Sequence, residues 1–232
     1  GVWKPVGFEE TTIVVEDGVV VRLVDARTYQ LTPNDVVISA RGRWVMAAPI
    51  VFGPDADVST IADSLGGGAM VDLTLSGIGG VVVPDAVLAT PGGRCAASRR
   101  AEREIPSALL LGVDSTRFAA IDDSLPRVAV SEESARMLGG WIGRRIESGA
   151  SPTSILASLT VLAADAIGRS DLGRVEVGSR SDLLILDGDP IASPQSILDP
   201  FAVTFGDRAI RRAEIEVLRD ASMRSGQMRR AG

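Results

Sequence analysis

The sequence predicts a composite α/β protein, strand-rich at both ends and mixed in the middle. Three observations carry that expectation: a hairpin signal near the start, a continuous apolar strand near the end, and apolar runs alternating with amphipathic helical stretches between them. With 232 residues, 45% hydrophobic and 23% charged, the chain has enough apolar material to bury a core as one moderate domain or two small ones.

Taken in order, Thr11 to Val15 and Val19 to Val24 are β-branched runs flanking Glu16-Asp17-Gly18, an Asp-Gly hairpin turn. Asp35 to Ser39 and Trp44 to Met46 predict a second strand pair around Arg41-Gly42-Arg43, so the first third reads as a small antiparallel sheet. The middle opens on the apolar stretch Val45 to Phe52. It continues with a helical stretch from Val58 to Leu75 broken at Gly66-Gly67-Gly68, and a strand from Gly80 to Val83. A charged, turn-rich loop from Pro91 to Ile105 precedes Ala108 to Val113, a continuous apolar run that predicts a fully buried strand ending at Asp114. Ser131 is the expected cap of a helix reaching Glu147, and Ser151-Pro152 starts a second through Gly168, with proline at the favoured first position. The closing strands are Val175 to Val177, Asp182 to Asp187 and Phe201 to Phe205, before a helical or frayed Arg/Glu tail from Arg208.

Composition excludes several functions. The formal net charge is −6, and Lys4 is the one lysine among 24 basic residues, so nucleic acid is not an expected partner. No apolar run approaches the ~20 residues of a membrane span, no basic-then-apolar leader opens the chain, and Gly1 in place of Met points to a trimmed start. Cys95 stands alone, which fits a reducing compartment, and the cytoplasm is the expected location. Histidine is absent from the whole chain. That excludes a Ser-His-Asp triad, a Cys-His dyad and any His-ligated zinc built from one chain.

Certain strings are familiar. Val15-Glu16-Asp17-Gly18-Val19-Val20 with Gly42-Arg43-Trp44-Val45-Met46 resembles the opening of the amidohydrolase superfamily, of the imidazolonepropionase, dihydroorotase and cytosine deaminase type. The run Gly173 to Pro190 is similar to that family's closing "G-x-x-x-x-G-x-x-A-D-L-x-x-x-D" strand pair, preceded by a matching helix over Leu156 to Ala166. The resemblance implies that both chain ends pair into one small β-sandwich, residues 1–45 with 169–232, beside an α/β barrel at 46–168. Thr74 to Pro84 resembles the segment around the second barrel strand. Gly112-Val113-Asp114-Ser115 resembles the "G-T-D-S" closing the eighth, where the family's aspartate binds metal and moves a proton. The family's His-x-His falls on Gly53-Pro54-Asp55. The span 46–168 is about half of the roughly 250 residues that an eight-stranded α/β barrel takes, so the expected fold is a β-sandwich plus an abbreviated, incomplete barrel.

Asp114 is the first candidate for chemistry, a carboxylate at the C-terminal end of a buried strand where partial burial would raise its pKa. The bland alternative is a cap on the following turn. Asp55 and Asp57 follow the first barrel-like strand and are further acid/base candidates, although Asp57-Val58-Ser59-Thr60 reads as a helix N-cap. Ser115, Arg94, Arg99 and Arg100 are ligand-binding candidates, the arginines as an anion clamp, against a default of solvated charge. Cys95 lacks a general base, Gly66-Gly67-Gly68 lacks the lysine of a phosphate loop, and Trp44 and Trp141 read as core. No metal or cofactor is expected. The reading is a non-catalytic or regulatory amidohydrolase-like protein, associating with a second copy or a fuller amidohydrolase through strand edges around Val81 to Val83 and Ala108 to Leu111, or binding a small molecule. The alternative is a metal-independent cyclase, isomerase or lyase with Asp114 as acid/base.

Overall fold

The computed structural model describes residues 2–4, 7–9, 11–54, 56–65, 69–91, 93–94, 108–129, 131, 133–206 and 208–218. Near the start, β1 (Val2–Lys4) and β2 (Gly7–Glu9) pair antiparallel. The expected hairpin follows: β3 (Thr12–Glu16) and β4 (Val19–Val24) pair antiparallel with Glu16 opposite Val19. The two-residue turn has Asp17 at φ 50 and Gly18 at φ 76, the left-handed pair that such a hairpin requires.

Strands from both chain ends then form one sheet. Running β11-β10-β9-β5-β1-β2, it joins β5 (Trp44–Ala47) to β9 (Leu183–Leu186), β10 (Ala202–Phe205) and β11 (Arg208–Arg211). Strand β9 is buried throughout because both faces are covered. Leu184 and Leu186 join Met46 in the main core. Leu183 and Ile185 join Val45, Ala47 and Ala202 under Ile13 and Leu23 of the hairpin and Ile38 and Ala40 of the loop that follows it.

A second sheet of three parallel strands holds β6 (Ile50–Phe52), β7 (Gly80–Pro84) and β8 (Leu109–Val113) in that order. Helices α1 (Val58–Ser64) and α2 (Ala69–Leu75) link β6 to β7, α3 (Asp85–Leu88) follows β7, and α4 (Ser115–Ala119) follows β8. Helices α5 (Ser134–Glu147), α6 (Pro152–Leu159) and α7 (Val161–Ala166) lead back to the first sheet. The single apolar stretch expected over Val45 to Phe52 is therefore two strands in two sheets, turned at Ala48-Pro49. There Gly79 is indispensable, since a Cβ on it would lie 2.6 Å from Ala48 Cβ.

Other expectations are corrected. Residues 35–39 are not a strand: Asp35 closes a turn by accepting bonds from Thr32 N (2.7 Å) and Tyr29 Oη (3.2 Å), and Val36 stays 92% exposed. Val175 to Val177 runs into a turn in which Ser179 N donates to Glu176 O (3.0 Å) around Gly178 at φ 92. The helix expected through Gly168 breaks at Thr160 (φ −128, ψ −94). Gly173, the first glycine of the closing motif, packs on that break: at φ 68, its Cβ would sit 2.5 Å from Thr160 O. The helix expected from Ser131 begins at Ser134, with the Ser131 Oγ accepting from Glu133 N. Strand β8 is half-buried at Leu109, Leu110 and Gly112 rather than fully buried. Arg208 opens a strand rather than a tail, and helical residues 212–218 come after it. The Gly66-Gly67-Gly68 break lies outside the described residues.

The ends are tied together at Arg180 to Leu183. Ser181 N donates to Gly18 O in the hairpin turn (3.0 Å), and Ala48 N donates to Asp182 O (2.9 Å). The Asp182 carboxylate, 8% exposed, accepts from Gly206 N (3.2 Å) and Arg180 Nε (3.1 Å). Thr204 Oγ1 donates to Ser181 O and accepts from Leu183 N (3.1 Å). Asp182→Ala leaves these donors without their acceptor, and we expect a loss of about 3 kcal/mol in urea unfolding. Glu133→Ala, which removes an exposed pair with Arg136, should cost under about 1 kcal/mol. Equal losses for the two would show that the Asp182 network does not hold the ends together.

Candidate functional site

Because β6, β7 and β8 are parallel, their C-terminal ends open on one edge, the place where α/β proteins put their sites. The chain leaves β6 through Gly53-Pro54 towards Asp57, leaves β7 at Asp85 and leaves β8 at Asp114. Asp57 caps α1. Its Oδ1 accepts from Ser59 Oγ and from Thr60 N (3.0 Å), and its Oδ2 accepts from Thr60 Oγ1 (2.7 Å). The Ser59 hydroxyl, then the Thr60 hydroxyl and amide, hold that carboxyl well below the usual carboxylate range.

Asp114 is likewise an N-cap, of α4. Its Oδ1 accepts from Thr116 N (2.8 Å) and Arg117 N (3.2 Å). These amides, Arg117 first and Thr116 next, lower its pKa. That is the reverse of the rise expected from burial, because the side chain is exposed and bonds to its charged form dominate. The turn-capping alternative is the geometry found.

Ser115 is the exposed first residue of α4. Arg94 is exposed, and its Nη1 donates to Ala89 O just beyond α3. Asp55, Cys95, Arg99 and Arg100 lie outside the described residues. Asp85 is an edge residue that sequence reasoning missed. Its carboxylate lies over β8, where a Cβ on Gly112 would sit 2.2 Å from Asp85 Oδ1. The signal was present, since Asp85 follows a buried strand just as Asp114 does.

The topology also bears on Asp114. The resemblance put Gly112 to Ser115 at the end of an eighth barrel strand, which in a closed barrel neighbours the first. Strand β8 instead pairs with β7, two places from β6, so the ends of β6 and β8 lie about 10 Å apart. The other side of β6 is taken by Pro126 to Val128: Phe52 N donates to Pro126 O (2.8 Å) and Val128 N to Phe52 O (2.8 Å). Ala129 follows that segment and offers no side-chain ligand. Arg127 within it turns back to α4, with Nη2 donating to Phe118 O (3.2 Å).

Among the described residues no group of three His, Cys, Asp or Glu side chains could hold a metal ion, and Asp57 and Asp114 already accept bonds from their own helices. A small recess lies at the opposite end of the parallel strands, lined by Ala48, Ile50, Gly80, Leu109, Arg180 and Asp182, where barrel-like folds place stabilising rather than reactive groups. A second is a surface hollow around Arg22, Tyr29 and Thr32.

The sequence pattern of the amidohydrolase family matches residues 21–211. No curated protein sequence matches the chain. Solved structures share its fold. A molinate hydrolase superposes with a TM-score of 0.66 at 11% identity, over 88% of this chain and 91% of that one. A prolidase complexed with N-methylphosphonate-L-proline gives 0.54 at 11% identity, over 89% and 96%. An adenosine deaminase from Xanthomonas campestris with bound zinc gives 0.56 at 10% identity, over 97% and 95%.

Lowered carboxylate pKa values fix a pH dependence. Asp57 and Asp114 have folded pKa values below their unfolded value near 4. Their stabilisation is therefore complete above that value and is lost as pH falls through the folded values. Asp57→Asn with Asp114→Asn should therefore lower stability in the neutral range and flatten its decline below pH ~4, with no change of slope above pH ~5. A change of slope above pH ~5 would instead reveal a raised pKa at one of the two.

Proposed function

Since the chain belongs to the amidohydrolase family, we propose that it is a non-catalytic or regulatory member, acting by association or by holding a small ligand rather than by metal-assisted hydrolysis. One observation carries the reading. The chain has no histidine, and the end of β6, where the family's first His-x-His falls, leaves through Gly53-Pro54. In this reading residues 1–45 and 169–232 are a composite β-sandwich and residues 46–168 an abbreviated barrel. The cytoplasm is its setting and a second copy or a fuller amidohydrolase its partner. The order β6-β7-β8 supports it further, because a site shared by a first and an eighth barrel strand needs those two strands side by side.

The alternative, a metal-independent cyclase, isomerase or lyase, needs a group that exchanges protons near neutral pH. Asp57 and Asp114 are both shifted the other way, which weighs against it. Ser115 and Arg94, with Arg99 and Arg100, remain the candidates for contact with a small anionic ligand.

Elemental analysis of the purified protein should find no stoichiometric zinc, and amide, amidine and carbamate substrates should not be turned over. One zinc per chain that resists chelation, with hydrolysis that depends on it, would overturn the proposal. Any metal-free turnover that falls about 10²-fold in Asp114→Asn would carry the alternative instead.

A further inference from the structure

The association reading can be made specific, because one sheet edge differs from the others. The first sheet ends at β11, which carries Arg208 and Arg211, and at β2, which carries Glu9. In the hairpin, β3 carries Glu16 and β4 carries Arg22. Charges on an edge strand are the usual guard against pairing with another chain. Strand β8, Leu109-Leu110-Leu111-Gly112-Val113, has no charge and no proline, and among the described residues it is the last strand on its side of the parallel sheet.

The backbone of β8 has a definite outward pattern. Leu109 N donates to Gly79 O (2.8 Å), towards β7. Alternation along the strand turns Leu111 and Val113 the same way, and directs the N–H and C=O groups of Leu110 and Gly112 outward. Among the described residues none bonds to them. Two outward residues separated by one form a self-complementary set. If two copies meet antiparallel about a two-fold axis through Leu111, Leu110 of one copy faces the partner's Gly112, and each such pair exchanges both of its hydrogen bonds.

We infer that β8 is a homodimerisation edge: two copies of this chain pair antiparallel through Leu110 and Gly112 into one continuous sheet. The absence of charge selects a second copy. A strand with charges at these positions would face Leu110 and Gly112 with nothing to pair, whereas the uncharged β8 meets its own like without repulsion. Half-buried Leu110 already packs against the main core, so dimer formation would remove the rest of its apolar surface from water. The inference deepens the association reading and rests on it.

Light scattering over a concentration series tests it, together with amide hydrogen exchange on the unaltered protein. We expect a reversible dimer and exchange at Leu110 and Gly112 that slows as the dimer fills. Leu110→Lys should weaken dimerisation at least about tenfold, or ~1.4 kcal/mol, with unchanged circular dichroism. A monomer at all concentrations, a dimer indifferent to Leu110→Lys, or a dimer in which both amides exchange as in the monomer would each overturn it. If the variant does not fold, the exchange measurement on the unaltered protein decides. A monomer without zinc or hydrolysis would sink the edge pairing and leave the non-catalytic reading intact. A dimer through β8 that hydrolyses with bound zinc would do the reverse.

Discussion

The strand start from Arg180 to Leu183 is where the two ends of the chain become one body. Its backbone reaches the hairpin turn at Gly18 and the inter-sheet turn at Ala48, and its side chains reach Gly206. Asp182 is the centre of it, a nearly buried carboxylate whose charge is matched by Arg180 and by a backbone amide. Polar bonds fix which strands meet, and the apolar faces of β9 then supply the burial that stabilises the meeting on both sides. The chemistry of the motif is structural: aspartate is needed because an amide and a guanidinium converge on it in a place that water does not freely reach.

The second sheet depends on the first through very little chain. Strands β5 and β6 are separated by Ala48-Pro49, with Gly79 pressed against Ala48 so closely that no side chain fits. The orientation of the parallel strands is therefore set at their N-terminal ends. Their C-terminal ends are finished by local means, Asp57 and Asp114 each spending its carboxylate on the helix that follows. An edge that in other folds is free for catalysis is here largely occupied by its own helix caps.

Much of this was legible in the sequence. The Asp-Gly hairpin, the buried strands at Gly80 and Leu183, the Ser151-Pro152 helix start and the Asp57 cap follow from local rules, and local rules are what a sequence displays. What it concealed was non-local. Val36 and Val37 have strand propensity, yet Asp35 closes a turn first. The motif glycine Gly173 makes sense only once Thr160 is seen against it. The neighbour of the strand that carries Asp114 was not legible, because a four-residue likeness says nothing about which strand it will pair with, and only the pairing of β8 with β7 shows it. Asp85 was passed over because its strand ended in proline and not in a familiar motif.

The pairing of β5 with β9 has a kinetic side. Arg43 and Asp187, bonded across these strands, are 144 positions apart, so the loop that must close before the first sheet exists is most of the chain. Contacts of such sequence separation slow folding, since the entropy of closure is spent before any of the sheet's bonds return it. On a ribosome β5 emerges with β1 already available on one edge, and the parallel strands β6 to β8 follow with partners at hand, while the other edge of β5 waits for β9, not yet synthesised. During that interval the β9-facing edge of β5 is unpaired and Met46 lacks its partners Leu184 and Leu186, so a chaperone that shields extended apolar segments would have its longest engagement there.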